Sequence, residues 1–179
     1  MRAVYGAAME RHRPDAQADE RTMLEQVLDF HRATLLLKTE GLTDAQLRQT
    51  TAASSLTLAG LLKHLALVED HWFSVMLLGR EPAEPWRGID WDADPDWEFR
   101  TALEQPREEL VALYTATCTA SREAIASVTS LDDLSVRTRR HSGQHFNLRW
   151  VMLHMIEETA RHNGHADLLR EAIDGTTGE

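Results

Sequence analysis

The sequence holds a single cysteine, Cys118, so no disulfide can form within the chain. That fits a reducing compartment, and a cytoplasmic location is the expectation. No apolar run approaches the roughly 18 residues that a membrane-spanning helix needs, so no membrane association is expected. The opening stretch, "MRAVYGAAMERHRPDAQADE", lacks the apolar segment of a secretory signal. Basic residues are scarce: 19 Lys and Arg stand against 29 Asp and Glu, for a formal net charge of −10. A nucleic-acid binder needs a basic face to neutralise phosphates, so no nucleic-acid partner is expected. One short basic run, "RTRRH" at 137–141, reads as a solvated loop. Strand patterns are nearly absent as well.

What is present is helical periodicity. A first segment runs from about Glu20 to Glu40 and stops at Gly41. "TDAQ" at 43–46 is a capping box that starts a short helix. A second long helix follows Thr57, a plausible N-cap, carries "LAGLLKHLALVEDHWFSVMLLGR" and ends near Gly79. A third begins around Pro106, with Glu108 and Glu109 favourably placed for the helix dipole, and runs to about Val128. The fourth spans Asn147 to Gly175. These elements predict an all-α four-helix bundle over 20–175, with a mobile tail at 1–19 and a short tail at 176–179. Met9 is an alternative start.

The connection between the second and third long helices, residues 80–105, is long. It contains Pro82, Pro85 and Pro95 with Trp86, Trp91 and Trp97. Such a crossover lets two consecutive helices lie parallel. About 25 residues, at roughly 3.3 Å each when extended, easily retrace a helix of about 35 Å. Its tryptophans predict that it packs down onto the bundle.

The fourth helix carries the chemistry. Residues four apart on a helix lie one above the other, so His154, Glu158 and His162 form a column, with His165 a short step beyond. Apolar Val151, Met155, Leu168 and Leu169 surround it, so the column borders the buried side. A carboxylate there is costly unless it is paired or bound to a metal. His154 and His162 are about 12 Å apart along the axis, and zinc–ligand bonds are about 2 Å. One ion therefore takes either His154 with Glu158 or Glu158 with His162, and a further ligand comes from another helix. His64 on the second helix, among Leu61, Leu65 and Val68, offers that ligand, and His71 lies one helical repeat on. Two nitrogens and one oxygen with an open position are the pattern of catalytic zinc. A buried hydrogen-bonded network and a solvated polar face explain the same spacing, and nine histidines make chance pairs common.

"GLLKHLALVEDHWF" taken with "LRWVMLHMIEETARHNGHADLLREAIDG" resembles the DinB-like metalloprotein superfamily. Within it, the chain is most similar to the actinobacterial mini-circle proteins, which are related to mycothiol-dependent enzymes. The resemblance covers about residues 20–175. It implies a four-helix bundle with a long crossover between helices two and three and one divalent cation. By resemblance His64, Glu158 and His162 are the ligands, and His154 is set aside. Many members have a histidine where this chain has Glu158; the glutamate is similar to the pattern of mycothiol-dependent maleylpyruvate isomerases. A carboxylate lowers the charge of the site and weakens the metal as a Lewis acid while remaining suited to zinc, with nickel or iron also compatible.

The resemblance further implies a transferase or isomerase that uses a low-molecular-weight thiol, mycothiol, against a small-molecule electrophile. Homodimers are common among relatives. Two other expectations compete: a metal-dependent hydrolase, and a non-catalytic metal-binding bundle in stress response. His71, His154 and His165 are candidates to touch a ligand or a bound substrate. Arg149 and Arg161 are weaker candidates to recognise the thiol. Glu157 sits about 100° around the helix from Glu158 and is poorly placed as a general base for hydrolysis. Cys118, within "LYTATCTASRE", reads as a small core residue.

Overall fold

The computed structural model describes residues 11–51 and 54–178. Mobility of residues 1–10, and Met9 as a start, lie outside the described residues. The helices are α1 (Glu20–Thr39), α2 (Asp44–Leu47), α3 (Leu58–Glu69), α4 (Trp97–Ala102), α5 (Arg107–Ser127) and α6 (Leu148–Asp174). α3 continues without a break into a wider π-helical stretch, Asp70–Leu77. Among the described residues no helix is long and apolar enough to cross a membrane.

Local chemistry fixes most of the ends. The Asp19 carboxylate accepts the Thr22 amide at 3.1 Å and starts α1. Thr43 and Gln46 form the reciprocal capping box that starts α2. Thr57 accepts the Gly60 amide at 3.0 Å, and Asn147 accepts that of Trp150 at 2.9 Å. Each such cap satisfies an amide that the helix itself leaves unpaired. Gly175 closes α6 with φ of 77°, a left-handed conformation that glycine adopts without steric cost.

Side-chain pairs give the directions. Arg149 pairs with Glu20 at 2.6 Å where α6 and α1 begin, and Lys38 pairs with Asp167 at 2.6 Å near their ends, so these helices run parallel. Arg21 reaches the Ile125 carbonyl at 2.6 Å and Arg107 reaches that of Thr39 at 2.8 Å, so α1 and α5 are antiparallel. α3 meets α6 in reverse order, His64 against Glu158 and Trp72 against His154. It follows that α3 and α5 point the same way, which the crossover of residues 80–105 makes possible. That crossover is packed: Trp86 is only 3% exposed, and the Lys63 ammonium lies 4.4 Å from the centre of the Trp97 ring.

Two apolar clusters fill the bundle. One is built on Leu35, Leu61, Leu65, Leu110 and Tyr114, the other on Leu28, Phe73, Val151, Met152 and Met155. Where they adjoin, Arg32 of α1 grips Glu69 of α3 through Nε–Oε1 at 2.7 Å and Nη2–Oε2 at 2.6 Å. Both side chains are 1% exposed, and Arg32 also reaches Asp29 at 2.8 Å. Removing one member of such a pair leaves an uncompensated buried charge, at a cost of about 3–5 kcal/mol.

The all-helical sequence reading meets one strand-forming segment among the described residues. The segment after α5 forms an antiparallel hairpin, β1 (Leu134–Thr138) with β2 (His145–Asn147). Its burial pattern is inverted. Leu134 and Val136 are each 64% exposed, while Ser135 is buried and accepts the Phe146 amide at 3.0 Å. Apolar and polar residues do alternate along β1, but over only five residues and with the apolar side chains outward. The basic run at 137–141 begins on this hairpin, where Arg137 pairs with Glu81 at 2.9 Å.

Candidate metal centre

α6 presents Glu158 and His162 one turn apart, and antiparallel α3 brings His64 against them. Nε2 of His64 lies 3.3 Å from Glu158 Oε1, and Nε2 of His162 lies 3.2 Å from the same oxygen. One ligand atom from each residue lies within 4.8 Å of the others. The side chains are 18%, 16% and 12% exposed for His64, Glu158 and His162, so the cluster is shielded yet reachable.

The outer nitrogens are held too. Nδ1 of His64 lies 3.1 Å from Oε1 of Glu98 on α4, and Nδ1 of His162 lies 3.3 Å from Nδ1 of His165. When Glu98 accepts the Nδ1 proton, the Nε2 lone pair of His64 is turned inward. This is how carboxylates fix the tautomer of a metal-binding imidazole. Glu98 is 4% exposed, and its Oε2 is buried without a hydrogen-bond partner. Close approach of α4 depends on Gly60: a methyl group there would sit 2.9 Å from the Phe99 ring and 3.1 Å from Thr57 Oγ1. Phe99 in turn stacks on His64 at 4.9 Å between ring centres.

Charge follows geometry. Burial alone would lower the His64 imidazole, but hydrogen bonds to Glu158 and Glu98 outweigh it and raise its pKa from 6.5 to about 9. The Glu158 carboxyl is held well below the usual carboxylate range, first by the hydrogen bond to His162 and then by that to His64. A proton thus occupies part of the space that a cation would take. The donor set, two inward imidazole nitrogens and one carboxylate oxygen with both rings braced from outside, fits a zinc-type divalent ion.

The other sequence candidates separate. His165 touches His162. His154 stacks on Trp150 at 5.1 Å and meets Trp72 at 4.7 Å, in a second group that includes His71. Arg149 is tied to Glu20 and Asp132. Arg161 pairs with Glu157 and stands 3.9 Å from Glu158 Oε2. Cys118 is fully buried, and burial pushes its thiol up, away from reactivity. Glu98 escaped sequence reasoning because it lies in the crossover. Its one signal is local: in "DWEFR" a carboxylate sits between two aromatic residues just after Pro95 and Asp96, which begin a helical turn.

A helical bundle presenting two imidazoles and a carboxylate at one point defines the class, and comparison with known proteins defines the family. Residues 23–175 match the family model for mycothiol S-transferases, so the chain belongs to the mycothiol S-transferase family, a DinB-like family. Its function is accordingly mycothiol-related and transferase-like. A comparison with curated proteins finds no match. Among solved structures, a conserved protein from Enterococcus faecalis is similar, with a TM-score of 0.70 at 15% identity over 89% of this chain and 99% of that one. That likeness shows the fold.

Proposed function

We propose that His64, Glu158 and His162 hold one divalent cation, most readily zinc, and that the protein joins mycothiol through its sulfur to a small electrophile. The observation that carries this reading is the convergence of Nε2 of His64, Nε2 of His162 and Oε1 of Glu158, in a chain that matches the mycothiol S-transferase family. When bound, the cation supplies the positive charge that keeps a thiol ionised near neutral pH.

The chain's own residues set up that chemistry. Glu98 holds the His64 ring in one orientation, and His165 braces His162. Glu158 contributes the single negative charge that moderates the site. The partial burial of all three limits competing water. Cys118 is buried away from the site, so the attacking sulfur comes from the cosubstrate. That sulfur forms a bond to the electrophilic carbon, and the leaving group departs with the bonding electron pair. In an isomerisation the adduct instead expels the thiol again.

The test is incubation of zinc-loaded protein with mycothiol and a chromogenic electrophile. Conjugate formation that stops on chelation and returns with zinc is expected. Turnover of esters or amides without any thiol would instead favour hydrolysis. Stable folding without metal and without turnover would favour the non-catalytic reading.

A further inference from the structure

Beside the candidate metal centre, towards the start of α6, a cavity of about 490 Å³ opens between α6, the π-helical end of α3 and the hairpin. Its size is that of small-molecule sites. Three aromatic rings form the wall. Trp72 meets Phe146 edge-on at 5.1 Å, and Phe146 lies 4.4 Å from Trp150 between ring centres. Trp150 is 38% exposed, an apolar ring left open to the cavity rather than buried in the core. His154 lines the cavity and stands one turn, about 6 Å along the axis, before Glu158.

Arg139 and Arg140 of the hairpin turn also line the cavity. The Arg139 guanidinium lies 5.4 Å from the Phe146 ring centre. Neither arginine has a carboxylate partner among the described residues, in a chain whose formal net charge is −10. Every arginine of α1 and α6 by contrast is paired with an acid or a carbonyl oxygen. Clustered aromatic rings select an apolar aromatic body, and two guanidiniums without a carboxylate partner select a negative charge at its edge.

We infer that this cavity binds an aromatic carboxylate, and that the electrophilic cosubstrate is a member of this class that also carries, elsewhere on its skeleton, a carbon bearing a leaving group. The role as cosubstrate rests on the proposed thiol transfer; the binding does not. The test is therefore calorimetric titration of metal-stripped, full-length protein at pH 8, without thiol, with 2-naphthoate and with its neutral isostere 2-naphthamide. Wild type is expected to bind naphthoate about tenfold tighter than naphthamide, as one charge-assisted hydrogen-bonded contact allows. Arg139→Ala with Arg140→Ala, both at exposed positions, should bind the two alike. His64→Ala should keep the preference for naphthoate. Absence of saturable naphthoate binding, equal binding of both probes by wild type, or a preference that survives in the double arginine variant or vanishes in His64→Ala would each overturn the inference. Thiol conjugation is read separately on metal-loaded protein, so its failure would leave this result standing.

Discussion

Oε1 of Glu98 lies 3.1 Å from Nδ1 of His64, so a residue from the crossover fixes which nitrogen of an α3 histidine faces α6. Glu98→Ala should weaken metal binding by roughly 10–100-fold, the usual effect of losing a carboxylate behind an imidazole ligand. Glu98→Gln, which still offers an acceptor, should lose less. Competition against a chromogenic chelator measures both. An alanine variant that binds as tightly as wild type would remove Glu98 from the account.

The position of Glu98 in turn depends on Gly60. Gly60→Ala gains helix propensity of about 1 kcal/mol, but forcing its methyl against Phe99 costs about 1–3 kcal/mol. The expected outcome is a modestly lower Tm together with weaker metal binding, because α4 must move and carry Glu98 with it. Thermal unfolding and chelator competition on one sample check both halves. Unchanged metal affinity would mean that α4 does not position the site.

Proton linkage gives a pH signature. Without metal, the His64 pKa is raised from 6.5 to about 9, so its stabilisation is complete below about 6.5 and fades as pH rises through about 9. Glu158 is shifted the other way, and its contribution is present above its ordinary 4.5 and lost on acidification. The metal-free protein should therefore be most stable between about pH 4.5 and 6.5. A cation must displace the His64 proton. Metal affinity should then rise about tenfold per pH unit from 7 to 9 and flatten above, with release of about one proton at pH 7. Affinity measured across pH with an indicator dye tests this; a flat profile from 7 to 9 would contradict it.

The pair between the two apolar clusters makes a prediction that concerns the fold alone. Arg32→Met strands the Glu69 carboxylate and should cost about 3–5 kcal/mol in urea unfolding. Adding Glu69→Leu should recover most of that loss, because an apolar pair of similar volume needs no compensation. A double variant as unstable as the single would show that the ion pair itself is required.

Much of this molecule was legible in its sequence because the decisive signals were local. The Thr43 capping box, the Asn147 cap and the Gly175 stop each act within a few residues of where they are written. The one-turn spacing of Glu158 and His162 placed them on one face before any fold was known. His64 needed more, since only tertiary packing, or resemblance, brings it to α6. Glu98 stayed hidden because α4 has six residues and its site contact is wholly tertiary. The hairpin stayed hidden because its strands are only five and three residues long, too short for alternation to stand out. His71 was read as sharing the face of His64. The seven-residue step carries it about 10 Å along the axis, so His71 meets Trp72 and lines the neighbouring cavity rather than the metal centre.

Metal content under identical loading tests the central claim most directly, in wild type, His64→Ala and His162→Ala. Elemental analysis of the three purified proteins should give about one zinc per chain in wild type and little in either variant, with helical content retained by circular dichroism. Equal zinc in all three would mean that these imidazoles do not hold the ion, and the proposed chemistry would go with them.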